Sequence, residues 1–196
     1  MILLHGAKYT KEDWSTSGIL DDICIKGAAG GGDSDSGGFS ITALDLSVKA
    51  DGDGFIDAFD ALVNQGVLSG KPLVVISPSA SGKSIVSLGA SAMNPMTSSS
   101  AKAVLKKMIK VWIPVASPAV LSVKEDGVLR SFSSLGIEIL AINGDGDGMG
   151  KRVTQRLVQV GAKGVELKGG HAVYLDSPNE FVETVLSFME GWKDQS

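Results

Sequence analysis

The apolar positions along the chain predict short strands that alternate with helices. Six runs rich in Val, Ile and Leu lack the polar alternation of a half-exposed strand, and such runs are typical of parallel strands covered on both faces. They lie at residues 2–4, 40–46, 73–76, 111–115, 137–142 and 164–167.

Between these runs, apolar residues recur at the spacing of one helix face. In residues 55–67 they occupy positions 55, 56, 59, 62 and 63. Further helices are predicted at residues 84–92, 101–110, 150–161 and 180–192. Alternating strands and helices predict an α/β fold with a central, mainly parallel sheet flanked by helices. The length of 196 residues suits a single domain over 1–196.

Two further segments, residues 27–38 and the N-terminal strand, add detail to the predicted fold. Residues 27–38, GAAGGGDSDSGG, hold too few apolar side chains to form a core, and they predict a flexible surface loop. The first predicted strand begins at residue 2. A buried strand this early predicts that N-terminal strands of the sheet are missing from the sequence.

Net charge and cysteine content narrow the classes of function. The formal net charge of −4 argues against a nucleic-acid partner, because nucleic acids bind a basic face. The lone Cys24 has no cysteine for a disulfide or a zinc pair, so we expect a buried, inert thiol. No apolar run is long enough to span a bilayer, and the start is unlike a signal peptide. These features predict a cytoplasmic protein with no cofactor, no metal site and no membrane partner, and they leave any protein partner unknown.

The segment LVVISPSASGKS, residues 73–84, predicts a strand that turns sharply into a helix. A serine nucleophile in such a turn stands between small residues because the backbone is strained and crowded there. Ser79 is the candidate nucleophile, flanked at two residues' distance by Ser77 and Ser81. The N-terminus of the following helix would favour negative charge near it.

The same turn has two other interpretations. A serine in this position can simply cap the helix. The segment also approaches the phosphate-binding pattern GxxxxGK[ST], with Gly82, Lys83 and Ser84 in place. Against a phosphate loop, Ser77 replaces the first glycine and Pro78 removes a backbone N–H.

A serine nucleophile needs a general base, and the chain has two histidines. His171 follows the last predicted strand and precedes the last predicted helix, where the base of an α/β-hydrolase lies. The acid is expected on the loop after the preceding strand, where Asp147 is the preferred candidate and Asp145 the alternative. The chain order is therefore serine, acid, histidine.

The other histidine, His5, stands with Gly6 at the end of the first predicted strand. In α/β-hydrolases, the loop at this place donates one N–H to the oxyanion hole. The expected oxyanion donors are the backbone N–H groups of Ala7 and Ala80. His5 is expected to be structural.

With these motifs in place, the sequence resembles the α/β-hydrolase domain-containing protein 14 family of small, capless serine hydrolases. The matching stretches are LLHGAKYTKEDW, ALDL, LVVISPSASG, WIPVASPA, ILAINGDGDGMG and KGGHAVYLDSPNEF. The resemblance implies that Ser79 is the nucleophile, Asp147 the acid and His171 the base. It also implies esterase activity toward small acyl esters, and one family member has been assigned a lysine deacetylation that passes acetyl to coenzyme A. The sequence departs from the family in lacking its two leading strands and in carrying Ser47-Val48 where the family has Pro-Gly.

Together, residues and resemblance predict an α/β-hydrolase fold without a large cap domain. The expected activity is cleavage of small acyl esters through an acyl-enzyme, or transfer of the acyl group to another acceptor, as in deacetylation. Two alternatives from other classes stay open: a nucleotide-binding protein that uses SPSASGKS, and a non-catalytic interaction protein on a hydrolase fold.

Overall fold

The computed structural model describes residues 1–29, 40–68, 73–94, 103, 105–106 and 109–193, and these contain a six-stranded parallel sheet. The strand order is β2-β1-β3-β4-β5-β6. The strands are β1 Ile2–Leu3, β2 Thr42–Ala43, β3 Leu73–Pro78, β4 Ile109–Val115, β5 Glu138–Gly144 and β6 Lys163–Leu167. The predicted α/β fold with a parallel sheet is therefore confirmed.

The strand bounds differ from the predicted ones where pairing, not hydrophobicity, sets the end. β2 has only two residues, because it pairs only with the two-residue β1. β4 starts at Ile109, since Ile109 pairs with Leu73 of β3. The prediction that the helix over 101–110 continues to residue 110 is thus wrong, and of its other positions only 103, 105 and 106 are described.

Helices connect the strands and cover both faces of the sheet. They are α1 Glu12–Thr16, α2 Ile19–Ala29, α3 Gly52–Asn64, α4 Gly82–Met93, α5 Ala119–Ser122, α6 Asp126–Ser134, α7 Gly148–Gln159, α8 Val173–Asp176 and α9 Pro178–Lys193. Between β4 and β5, every residue is described, and this stretch holds the short α5 and α6 rather than a cap domain. In the described ranges, no helix has both the length and the apolar character required to cross a membrane.

Helix α2 corrects two expectations. It extends to Ala29, so the predicted loop over 27–38 is wrong for residues 27–29, while residues 30–38 lie outside the described residues. Cys24 was expected to be buried but is partly exposed. The reason is helical periodicity: Ile19 and Ile23 lie one turn apart and fill the core, and Cys24 is rotated about 100° away from that face.

The sheet separates two hydrophobic cores. Along β3, Val75 contributes to one core, and Val74 and Ile76 contribute to the other, as strand alternation requires. The first core packs against α3, α4, α6 and α7, and the second against α1, α2, α8 and α9. Because all strands run in parallel, their carboxyl ends meet at one edge, where the candidate residues follow β1, β3, β5 and β6.

Candidate active site

Ser79 occupies a strained turn between β3 and α4. The strand ends at Pro78, and a single 3₁₀ turn over Ser79–Ser81 leads directly into the helix at Gly82. Ser79 has a φ of +50°, a left-handed conformation that costs a residue other than glycine about 1–3 kcal/mol. Such strain persists only where surrounding contacts hold it, and it projects the side chain out of the line of the strand.

Buried hydrogen bonds hold this turn. The hydroxyl of Ser77 accepts from the Trp112 indole N–H at 2.8 Å, and the hydroxyl of Ser81 donates to the Pro78 carbonyl at 2.8 Å. Ser77 and Ser81, at positions where a nucleophile elbow more often has glycine, therefore both have hydrogen-bond partners. A third bond runs from the Ser117 hydroxyl to the Ser79 carbonyl at 2.9 Å.

Ser117 was not singled out from the sequence. It follows β4, the strand beside β3, and is fully buried. A Cβ placed on Gly82 would lie 1.9 Å from the Ser117 hydroxyl oxygen and 2.7 Å from its Cβ. Only a glycine can therefore begin α4 this close to Ser117. In the sequence, the only signs of this contact are the SASG run and the SPA triplet that follows VWIPVA. The two segments lie close together because β3 pairs with β4.

His171 lies between Ser79 and Asp147. Its Nε2 is 2.8 Å from the Ser79 hydroxyl oxygen, and its Nδ1 is 2.7 Å from Oδ2 of Asp147. The imidazole side chain is 43% exposed, whereas the Asp147 side chain is 9% exposed. When the Nδ1–H donates a hydrogen bond to the carboxylate, Nε2 carries no proton and can accept one from Ser79.

Asp147 is fixed by the start of α7, for which it is the N-cap residue. Its Oδ1 accepts from the Met149 backbone N–H at 3.1 Å. A Cβ on Gly150 would lie 2.6 Å from Oδ2, so glycine lets the helix approach the carboxylate. Burial alone raises the pKa of Asp147, but the backbone N–H groups of Gly150 and Met149 and the His171 ring outweigh it, and the net pKa is below the usual value. The carboxylate is therefore ionised beside His171.

Asp145, the alternative acid, makes a different contact. Its Oδ1 accepts from the Gly169 backbone N–H at 2.9 Å. Gly146 N–H in turn donates to the Gly169 carbonyl at 2.8 Å. Asp145 thereby ties the loop after β5 to the loop that carries His171, and it bonds to the backbone of that loop rather than to the imidazole.

The loop before His171 packs closely against the end of β5. A Cβ on Gly144 would lie 2.2 Å from the Gly170 carbonyl oxygen and 2.3 Å from that of Gly169. Gly169 has a φ of +148°, and Gly170 N–H donates to Oδ2 of Asp176 at 2.7 Å. Close backbone contact and a capped turn therefore position His171.

The segment after β1 lies beside Ser79. A Cβ on Gly6 would stand 3.6 Å from the Ser79 Cβ. Neither the Ala7 nor the Ala80 backbone N–H has an acceptor among the described residues. His5 places Nδ1 2.9 Å from the Gly6 carbonyl oxygen and Nε2 3.5 Å from Oδ1 of Asp45, so it contacts the backbone and a neighbouring acid.

The phosphate-loop interpretation of SPSASGKS requires a loop of free backbone N–H groups, and the local geometry is different. Ser77 and Pro78 belong to β3, and Gly82 begins α4. The Ser84 hydroxyl is buried and donates to the Ser81 carbonyl at 2.9 Å. Lys83 points its ammonium at the Lys49 carbonyl, at 3.1 Å. This geometry disfavours a phosphate cradle.

No protein-family profile and no curated protein matches the sequence. Solved structures do match. A carboxylesterase of the ammonia-oxidizing thaumarchaeon Nitrososphaera gargenis superposes with a TM-score of 0.67 at 12% identity, covering 100% of this chain and 91% of the other. The esterase domain of a Rhodothermus marinus protein gives a TM-score of 0.57 at 13% identity, covering 97% and 84% of the two chains. A ferulic acid esterase gives 0.54 at 13% identity, covering 95% and 83%. At these identities, the likeness shows the α/β-hydrolase fold.

Proposed function

We propose that this protein is a serine hydrolase that cleaves small acyl esters, with Ser79 as nucleophile, His171 as general base and Asp147 as the acid that orients it. The observation that carries the proposal is the pair of hydrogen bonds, 2.8 Å and 2.7 Å long, that connects Ser79 through His171 to Asp147. The strained conformation of Ser79 supports it, since such strain is typical of a nucleophile elbow. The structurally similar proteins are esterases, which agrees with this function.

The reaction divides into two half-reactions. His171 Nε2 takes the Ser79 proton as the hydroxyl oxygen attacks the ester carbonyl carbon, and a tetrahedral intermediate forms. When the intermediate collapses, the bond from the carbonyl carbon to the alcohol oxygen breaks, and His171 gives its proton to the departing alcohol. Water then attacks the acyl-enzyme with its proton going to His171, and the acid leaves as the proton returns to Ser79.

The tetrahedral intermediate needs donors for its oxyanion. The backbone N–H groups of Ala7 and Ala80 fit this role, because both lack an acceptor among the described residues and both adjoin the nucleophile. Ala80 follows Ser79 in the chain, and Ala7 follows Gly6, whose backbone approaches the Ser79 side chain. Donors already in place at a developing charge lower the barrier by about 3–4 kcal/mol each.

The acceptor of the acyl group is water or a second nucleophile. The half-exposed His171 ring leaves the acyl-enzyme accessible from solvent, which suits acyl transfer as well as hydrolysis. The motifs that resemble the α/β-hydrolase domain-containing protein 14 family support placing the chain in that group of capless hydrolases, and a deacetylase-type transfer is part of the proposal on that ground.

Active-site labelling tests the proposal. A fluorophosphonate probe is expected to label the wild type and to leave Ser79→Ala unlabelled, and p-nitrophenyl acetate hydrolysis is expected to disappear in parallel. Ser134→Ala, which removes an exposed serine of α6, is the matched control and should behave as the wild type. Absence of labelling in the folded wild type, or labelling that survives Ser79→Ala, would contradict the proposal.

A further inference from the structure

An apolar cavity of about 430 Å³ lies beside the candidate nucleophile, between α4 and the segment that begins α5. Its wall follows one face of α4 and continues across the turn before α5. The lining residues are Val48, Ala80, Lys83, Val86, Ser87, Ala90, Pro118, Ala119, Ser122 and Val123. A cavity of this size and character suits an aliphatic group rather than a hydrated polar one.

The position of the cavity relative to the reacting atoms assigns it to the acyl side of an ester. The cavity borders Ala80, and its wall includes Pro118, next to the Ser117 that holds the Ser79 carbonyl. No residue of the His171 loop lines it. The alcohol oxygen must lie against His171 Nε2 to receive its proton, so the acyl chain is the part of the substrate left to enter the cavity.

Lys83 is the charged member of this wall. Its ammonium reaches across to the Lys49 carbonyl, which accepts one of its three donors at 3.1 Å. Among the described residues, no carboxylate oxygen lies within 4.0 Å of its Nζ. An apolar wall that carries a cation with spare donors matches an aliphatic chain that bears an anion.

We propose that this cavity binds acyl groups whose aliphatic chain ends in a carboxylate, so that the preferred substrates are half-esters of dicarboxylic acids and Lys83 is a specificity-determining residue. The inference rests on the proposed function of Ser79 and names the substrate class of the same site. In the first half-reaction, the Ser79 oxygen bonds to the ester carbonyl carbon as the alcohol leaves with its proton. Water releases the dicarboxylic acid in the second, and the distal carboxylate stays bound to Lys83 and unreacted throughout.

Two pairs of substrates with equal chain length isolate the distal carboxylate: monomethyl adipate with methyl hexanoate, and monomethyl suberate with methyl octanoate. For the wild type, kcat/KM is expected to favour the half-ester in at least one pair. Lys83→Met is expected to lower that preference about tenfold, the factor for one charge-assisted hydrogen bond. Lys83→Arg should retain the preference, because it keeps the positive charge.

Lys110→Met is the matched control. Lys110 also donates its ammonium to a backbone carbonyl, that of Lys106 at 3.0 Å, but it lies on β4 and outside the cavity lining. This variant should keep the wild-type preference. A preference that is unchanged by Lys83→Met in both pairs, or lost equally in Lys110→Met, overturns the inference.

A binding measurement separates failure of this inference from failure of the proposed function. Calorimetric titration of monomethyl adipate and monomethyl suberate into Ser79→Ala needs no turnover. Binding that is weakened about tenfold by adding Lys83→Met supports the assignment of Lys83 even if no ester is cleaved. Equal binding with and without Lys83→Met overturns it, whatever the activity of Ser79.

Discussion

The Ser117 hydroxyl donates a 2.9 Å hydrogen bond to the backbone carbonyl of Ser79, and the same hydroxyl oxygen lies where a Cβ on residue 82 would be, at 1.9 Å. One buried side chain therefore both holds the strained residue and fixes the entry of α4. The strain at Ser79 is local, but its support comes from the neighbouring strand. Substitutions at residues 82 and 117, made singly and together, can therefore test this contact.

Gly82→Ala is expected to destabilise the protein by at least about 1–3 kcal/mol, because its methyl group would overlap Ser117. Ser117→Gly removes both overlapping atoms. In that background, the additional cost of Gly82→Ala should fall by at least about 1 kcal/mol, as expected for residues in contact. Urea unfolding of the two single variants and the double variant measures the coupling. Strictly additive free energies of unfolding would show that the two residues do not meet.

Asp147→Asn is expected to lower kcat by about 10³- to 10⁴-fold, since an amide can no longer hold the His171 tautomer that accepts the Ser79 proton. Asp145→Asn is the matched control, because its retained amide oxygen can still accept from the Gly169 N–H. Its kcat should stay within about fivefold of the wild type. Ester hydrolysis by the two purified variants decides between the acids, and a larger loss in Asp145→Asn would reverse their assignment.

The parallel sheet could be predicted from the sequence because its central strands are continuous apolar runs. β3, β4 and β5 are buried along almost their whole length. The runs LVVI, VWIPV and IEILAI could therefore be identified as strands without knowing which strands they pair with. The helix α2 and the shorter α1, α5, α6 and α8 were not predicted. Only Leu129 and Phe132 of α6, for example, have large apolar side chains in the core, and two positions are too few to define a periodicity.

The candidate site was accessible to sequence reasoning for a different reason. Parallel strands place their carboxyl ends at one edge, so residues distant in the chain, Ser79, Asp147 and His171, could be expected to converge. Contacts within that edge could not be predicted. The hydrogen bond from Ser117 to Ser79 and the position of Lys83 beside the cavity depend on strand register and on the path of α4.

The acid stability of the fold should depend on Asp147. Its pKa in the folded protein lies below the usual 3.8, so its carboxylate stabilises the folded state above that pH. The contribution is lost as pH falls through the lower, folded pKa. We expect the free energy of unfolding of the wild type to fall more steeply below about pH 4 than that of Asp147→Asn, and the difference between them to vanish at lower pH. Urea unfolding from pH 6 to pH 2 tests this, and parallel curves would refute it.

Gly144→Ala is expected to reduce activity by displacing the His171 loop. Its methyl group would lie 2.2 Å from the Gly170 carbonyl oxygen and 2.3 Å from that of Gly169, so these residues must move. A shift of about 1 Å at the base costs about 10²-fold in kcat. Gly148→Ala is the control: nothing lies within 4 Å of its Cβ position, and alanine favours the first turn of α7. Ester hydrolysis and circular dichroism of both variants separate lost geometry from lost folding, and a fully active Gly144→Ala would show that the loop does not depend on this contact.

Tyr174→Phe is expected to raise the free energy of unfolding by about 1 kcal/mol, because the buried Tyr174 hydroxyl has no hydrogen-bond partner among the described residues. Burial also raises the pKa of this phenol, so the hydroxyl stays neutral and gains nothing from ionisation. Phenylalanine keeps the ring, which stacks on Trp14 with centroids 4.7 Å apart. Tyr174→Ala removes that contact and should cost about 3–5 kcal/mol. Urea unfolding of both variants makes the comparison, and a Tyr174→Phe protein less stable than the wild type would mean that the hydroxyl is bonded after all.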